Sequence, residues 1–335
     1  MKKLVDLIRG FSGVPVAVLG DLMLDRYVCG HATRISQEAP VPVVQVQRQN
    51  NVPGGAANVA RNILSLGGQT EVFGITGRDT DGKILKKLLQ DAGGGVTGMV
   101  CAMEAVTTVK MRILASNQQI VRVDYEQPDQ ITESHRGALL ERLENYLATG
   151  SCHALILEDY AKGIFTADFM VEIVRIAHRH GVEVALDPHP THPFDVKGLK
   201  FMTPNRLEAF ALAGMPFVHG IGSPEHDLPL RRVGEELLRR WEPEMLLITL
   251  GAEGIALYFR DGRSPVFIPT QARRVFDVSG AGDTVMATMA LALSAGASPQ
   301  EAAIIANHAA GVVVGYVGTR AIEAAELCDA LKTTV

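Results

Sequence analysis

Short runs of Val, Ile, Leu and Ala without polar alternation recur along this chain, each closed by glycine or a polar residue and most followed by a helix-length amphipathic stretch. That is the sequence form of repeated βα units. A strand without alternation is buried on both faces, so the pattern predicts an α/β fold of three layers, a mainly parallel central sheet between helices. Residues 14–19 read as a strand ending in Gly20-Asp21, 55–66 as a helix closed by Gly67-Gly68, and 72–76 as the next strand. From residue 154 the order is ALILE, a helix over 167–180, VEVALD, helices near 206–213 and 229–241, LLITL, and a hairpin of IALYF with PVFIP. Two long helical segments close the chain.

The rhythm breaks twice. VPVVQVQ at 41–47, and the pair TTVKMRILA at 107–115 with QIVRVDY at 119–125, are partly alternating and have no helix between them. They predict a small β lid, exposed on one face, built from segments of about 27–47 and 107–125. No Pro- or Ser-rich linker and no repeat of fixed period divides the chain, so residues 1–335 read as one domain carrying the lid as an insertion.

Composition narrows the partners. A formal net charge of -5, with acids and bases interspersed, argues against nucleic acid and membrane surfaces, which need a basic face. The four cysteines, at 29, 101, 152 and 328, form neither a C-x-x-C nor a ligand cluster, and they read as thiols in a reducing compartment, hence a cytoplasmic protein. Asp6 and Arg9 interrupt the apolar stretch that a leader would need. Residues 302–319 carry no Asp, Glu, Lys or Arg, but Asn307 and His308 fall in the middle and favour a buried helix over a membrane span.

Three motifs are decoys. Gly93-x-Gly95-x-x-Gly98 follows a helix instead of a strand, so it lacks the context of a dinucleotide site. Gly77-x-x-x-x-Gly82-Lys83 has Ile84 where a P-loop needs Ser or Thr, and two aspartates that repel phosphate. His189 and His192 have no third metal ligand in view.

The chemistry concentrates in Asp277-Val-Ser-Gly280-Ala281-Gly282-Asp283, directly before a long apolar helix. Small residues let consecutive N–H groups converge, and the helix adds its positive end, which together suit a phosphoryl group in transfer. Asp283, in the first turn, is placed to take a proton from an attacking hydroxyl. Gly54-Gly55-Ala-Ala-Asn58 opens another helix, where a ligand can approach the backbone and Asn58 offers a donor and an acceptor. Asp21 and Asp25, after the first strand, suit sugar hydroxyls. Asn205-Arg206-Leu207-Glu208 puts an amide and a carboxylate on one helix face, a spacing suited to a water-bound Mg²⁺. Thr249-x-Gly251-x-x-Gly254 ends a buried strand in a turn along which a nucleotide could lie.

In this order the segments resemble the ribokinase-like (PfkB) carbohydrate kinases. GGAANVARNILSLG fits that family's first signature and DVSGAGDTVMA most of its second, with Thr288 where Ala or Gly is usual. The resemblance spans essentially the whole chain. It implies a ribokinase-like α/β domain with a β lid and ATP-dependent phosphorylation of a hydroxyl. It further implies Asp283 as base, the amides of Gly280, Ala281, Gly282 and Asp283 as anion hole, Asn205 and Glu208 near Mg²⁺-ATP, and Asn307 near adenine. Asp25, Gly54, Gly55 and Asn58 match the family's sugar-binding positions, and Glu158 a further carboxylate of the site.

GDLMLDRYVCG, TRISQEAPVPVVQV, LEDYAKG and ANHAAGVVVGYVGT look like the D-glycero-β-D-manno-heptose 7-phosphate kinases of that family. This resemblance implies formation of the 1,7-bisphosphate en route to ADP-heptose for lipopolysaccharide, with the adenylyltransferase of the pathway as a separate protein. Relatives often have Lys where His189 stands. Arg34, Lys110, Arg112 and Lys162 are the cations available for a substrate phosphate, Lys110 and Arg112 lying on one face of a lid strand. Asp277, at the entry to the glycine loop, is the candidate for a K⁺ ion, as in several related kinases. The apolar lid face predicts a homodimer through the lid. The alternatives are a kinase for another sugar or sugar phosphate, and a non-catalytic sugar- or nucleotide-sensing protein on the same fold.

Overall fold

In the first strand, β1 (Val16–Gly20), Val16 and Val18 face one hydrophobic core while Ala17 and Leu19 face another. That two-sided burial is what an apolar run without alternation demands. The computed structural model describes residues 2–115, 118–220, 222–272 and 275–332. The other strands are β2 (Leu22–Ile35), β3 (Pro42–Gly55), β4 (Val72–Gly77), β5 (Met99–Ala102), β6 (Thr108–Ala115), β7 (Gln118–Tyr125), β8 (Ala154–Glu158), β9 (Glu183–Asp187), β10 (Phe201–Met202), β11 (Met245–Thr249), β12 (Ile255–Phe259) and β13 (Val266–Ile268). The helices are α1 (Lys2–Arg9), α2 (Ala56–Ser65), α3 (Thr80–Asp91), α4 (Glu133–Leu147), α5 (Ala167–Arg179), α6 (Arg206–Leu212), α7 (Leu228–Trp241), α8 (Ala281–Ser294), α9 (Pro299–Val313) and α10 (Ala324–Lys332).

The large sheet has the order β13-β12-β11-β10-β9-β8-β1-β4-β5. It is parallel except at β12, which runs antiparallel to both β11 and β13, the hairpin read from IALYF and PVFIP. Side chains of α1, α2, α3, α8, α9 and α10 pack on one face, and those of α4, α5, α6 and α7 on the other. The fold is therefore three-layered and mostly parallel.

The second sheet, β3-β2-β6-β7, is the lid. It begins earlier and ends later than the expected 27–47, because β2 and β3 pair from Leu22 opposite Gly55 to Ile35 opposite Pro42. The halves next to the main sheet are buried while the distal halves are exposed, so the alternation expected of a lid strand holds over only part of each.

The segment considered as a membrane span is α9 and the turn after it, and no helix among the described residues is long and apolar enough to cross a membrane. The P-loop look-alike does sit between a strand and a helix, β4 and α3. Its anion position is filled by the protein's own carboxylate: Asp79 accepts hydrogen bonds from Gly82 N, Thr107 N and Thr107 Oγ1.

Candidate active site

In a parallel sheet the loops after the strands' C-terminal ends form the ligand crevice. Here register puts Gly20, Glu158 and Asp187 in one row across β1, β8 and β9. Glu158 is 1% exposed and neither of its carboxylate oxygens has a partner among the described residues. Asp187 accepts from Thr203 Oγ1 at 3.2 Å. Burial first, then the charge of neighbouring acids, Asp187 and Asp283 on Glu158 and Glu208 and Asp283 on Asp187, pushes both carboxyls well above the usual range. Two acids buried side by side in this way favour their neutral forms.

α8 points its N-terminus at this row. Its N-cap, Gly280, has φ 78°, a left-handed backbone that favours glycine, and a side chain there would meet Asn58 Nδ2 at 2.9 Å. The expected four-amide anion hole is narrower in the structure. Ala281 N donates to Val278 O at 3.2 Å, which leaves the N–H groups of Gly280, Gly282 and Asp283 without an acceptor among the described residues.

Asp283 is 5% exposed and is gripped at both oxygens. Asn58 Nδ2 donates to Oδ2 at 2.6 Å and the Tyr160 hydroxyl donates to Oδ1 at 2.7 Å. Burial raises its carboxyl above the ordinary value, while those two hydrogen bonds hold it down. A carboxylate raised toward neutrality is a better proton acceptor than a solvated one.

The glycines after β3 allow close approach. A Cβ at Gly55 would lie 2.6 Å from Asp21 O, and one at Gly54 2.9 Å from Asp25 Oδ2. Asp21 Oδ2 accepts the N–H groups of Tyr160 and Lys162, at 2.9 and 3.0 Å, while buried Oδ1 has no partner among the described residues. Its carboxyl is pushed up to about 6, with burial the largest cause. The folded state thus favours the protonated acid, whose proton fits on the unpartnered Oδ1. Stability from this group is present below pH 4 and is lost as pH rises through 6, by about 3 kcal/mol from a shift of this size. Asp21→Asn is expected to reduce the fall in unfolding free energy between pH 4 and pH 7 by that order. Urea midpoints at the two pH values check it, and an unchanged fall would count against the assignment.

The cations expected to share one phosphate do not lie together. Arg112 Nη1 pairs with Asp25 Oδ1 at 2.5 Å, so two residues assigned to substrate neutralise each other. Arg34 is exposed, nine residues beyond Asp25 on β2, roughly 30 Å away at a strand's rise. Lys110, opposite Asp25 in the β2–β6 register, has no carboxylate within salt-bridge distance among the described residues. Its ammonium lies 5.1 Å from the centre of the Tyr160 ring, and burial, then the charge of Lys162, lower its pKa. Lys162 is paired with Glu126 at 2.7 Å.

On the other side, Asn205 bridges to Thr249, bringing those two expected nucleotide residues together. Asn205 and Glu208 form a capping box: Asn205 Oδ1 accepts from Glu208 N at 3.0 Å, and Glu208 Oε2 accepts from Asn205 N at 2.8 Å. Arg206 is buried, bound to Asp227 Oδ2 at 2.7 Å and to Glu253 of the turn after β11. Leu207 is exposed. The Gly251–Glu253 turn is a 3₁₀ turn closed by Gly254. Asn307 Nδ2 donates to Pro269 O at 2.7 Å, tying α9 to the strand end after β13.

Asp277 uses one oxygen for Ser279 N and the other for Gly318 N, each at 2.9 Å. This carboxylate pins the glycine loop. The hydroxyls of neighbouring Thr319 and of Tyr27 in the lid share a hydrogen bond at 3.0 Å. His192 Nδ1 pairs with Asp159 at 2.8 Å and His189 Nδ1 with Thr191 Oγ1 at 2.7 Å. Among the described residues no group of three or more His, Cys, Asp or Glu could hold a metal ion directly.

Sequence reasoning assigned no role to Tyr160 or Asp187. Tyr160 lies within LEDYAKG, a segment that carries the resemblance, and Asp187 has only its position at the end of the VEVALD strand as a signal.

A glycine-rich helix N-terminus with a buried carboxylate, opposite a row of strand-end acids under a β lid, defines a phosphotransferase. The pfkB family carbohydrate kinase model matches residues 15–325, and the chain belongs to that family. It is a carbohydrate kinase, and membership implies the use of ATP and a divalent cation. Among its relatives are "Bifunctional protein HldE" of Geobacter sulfurreducens, 39% identical over 98% of this chain, and that of Citrobacter koseri, 40% identical over 96%. This chain spans about 65% of the length of the first and 64% of the second. The fold is also that of Arabidopsis thaliana ribokinase complexed with ribose and ATP, with TM-score 0.70 and 21% identity over 96% of this chain and 99% of that one. Escherichia coli phosphofructokinase-2 in complex with potassium gives TM-score 0.76 at 18% identity, over 96% and 99%. The fold is ribokinase-like.

Proposed function

We propose that the chain transfers the γ-phosphoryl group of ATP to O1 of D-glycero-β-D-manno-heptose 7-phosphate, giving the 1,7-bisphosphate, in the cytoplasmic route to ADP-heptose and lipopolysaccharide core. The observation that carries the phosphorylated acceptor is Lys110, a half-buried ammonium without a carboxylate partner among the described residues, facing Lys162 beside the loop that contacts Asp283. A phosphate dianion between the two lysines would relieve their repulsion. The likeness to HldE proteins supports the same branch of the family.

In this reading Asp283 takes the proton of the acceptor hydroxyl as its oxygen bonds to phosphorus and the bond to the departing ADP oxygen breaks. The N–H groups of Gly282 and Asp283, with the positive end of α8, face the charge on the phosphoryl oxygens. Asp21, Asp25, Asn58, Gly54 and Gly55 form the sugar wall, and Asn205, Thr249, Gly251, Gly254 and Asn307 the nucleotide wall. Mg²⁺ supplies charge neutralisation between the phosphates. Glu208 fits it through water, since Oε1 remains outside the capping box. Exposed Ile35, Val41, Val46, Ile120, Val121 and Tyr125 support a homodimer through the lid.

A coupled ATP-hydrolysis assay over a panel of free and phosphorylated sugars tests the reading. Turnover only with a different sugar would replace the acceptor, and no turnover with any would favour the sensing protein. Glu208→Gln, which keeps the capping geometry, is expected to raise the Mg²⁺ concentration for half-maximal rate several-fold. A change confined to the sugar KM would move Glu208 to the acceptor side.

A further inference from the structure

Tyr160 is aimed at Asp283 by a latch in the loop after β8. Asp21 accepts the N–H groups on either side of Ala161, those of Tyr160 and Lys162. Asp159 accepts from Ala161 N at 2.8 Å and pairs with His192. Ala161 itself has φ 54°, a left-handed conformation that a residue with a Cβ keeps only where its surroundings over-determine it. Residues 159–162 thus hold one phenol inward, its oxygen 2.7 Å from Asp283 Oδ1 and its ring 5.1 Å from the Lys110 ammonium.

Resting on the reading of Asp283 as the base, we propose that Tyr160 is a positioning residue, whose O–H donates to Asp283 Oδ1, orients the carboxylate and keeps it anionic before the acceptor hydroxyl arrives. The surroundings make such a donor necessary. Burial disfavours the Asp283 anion, and Asp25 from β2 adds like charge, while Glu158 from β8 and Asp187 from β9 are themselves held toward the neutral acid, in part by Asp283. Opposing them are Asn58 from α2, Lys110 from β6 and Tyr160. Burial and the charge of Asp283 push the Tyr160 phenol well above its ordinary value, so it remains a donor at any working pH and does not compete as a base.

Tyr160→Phe removes the oxygen and keeps the ring. The experiment follows the Asp283 carboxyl carbon by ¹³C NMR across pH, its resonance assigned by its loss in Asp283→Asn, with kcat and KM measured over the same range. The titration midpoint is expected to rise by about one pH unit in Tyr160→Phe, since a lost donor to the anion favours the protonated acid. kcat should fall about tenfold below the new midpoint and return to within a few-fold of wild type above it. Incorporating 3-fluorotyrosine at 160, a stronger donor that preserves every contact, should move the midpoint below wild type, and it serves as the test even where the Phe variant folds poorly. An unmoved midpoint in the variants, or a rate loss equal at every pH, overturns the proposal. Retained turnover in Asp283→Asn would instead overturn the base assignment, and the midpoint comparison distinguishes the two because it does not depend on turnover.

Discussion

Asp283→Asn is expected to lower kcat by about two or more orders of magnitude, the scale of losing a positioned base, while ATP binding and thermal stability stay close to wild type. The amide has the size of the carboxylate and can still accept one hydrogen bond through its oxygen. Its NH₂ meets either Asn58 or Tyr160 as donor against donor, a cost of about 1 kcal/mol or more. Offsetting this, the substitution relieves the desolvation penalty of a charge that is 5% exposed. Single-turnover rates at saturating ATP and acceptor, with a melting curve, separate chemistry from folding. A variant that turns over at near wild-type rate would take Asp283 out of the mechanism and leave the buried acids Glu158 and Asp187 to be tested in its place.

What the sequence makes legible is whatever the backbone does locally. Runs without alternation translate directly into strands buried on two faces, and Gly54-Gly55 and Gly280 mark close approaches that only small residues allow. The lid's extent was harder to read, because Leu22, Met23 and Leu24 are buried like strands of the main sheet and Pro53 and Gly54 look like a turn, yet all belong to paired lid strands. α4 went unread, since its buried apolar stripe is only Leu139, Leu143 and Leu147. Contacts made across the chain leave the weakest trace. Tyr160 and Asp283 are 123 residues apart, and a tyrosine after an apolar strand looks like any core aromatic.

Lys110→Ala is expected to raise the acceptor KM by roughly tenfold to a hundredfold for a phosphorylated sugar and to leave the KM for ATP little changed. The size follows from a charge-assisted hydrogen bond to a phosphate, worth about 1.5 to 3 kcal/mol. The specificity follows from placement. Arg112 is paired with Asp25, Lys162 with Glu126, and Arg34 lies far along the lid, so Lys110, which has no carboxylate within salt-bridge distance among the described residues, is the cation best placed to meet the phosphate. Depression of the Lys110 pKa by burial and by Lys162 means that an incoming dianion is met by cations that gain from its arrival. The same variant assayed with the unphosphorylated sugar should lose little, because the lysine then has no partner to lose. Equal losses on both sugars would reduce Lys110 to a wall of the sugar pocket. No loss on either would mean that the lid holds the phosphate elsewhere, and the acceptor would have to be sought among other carbohydrates of the family.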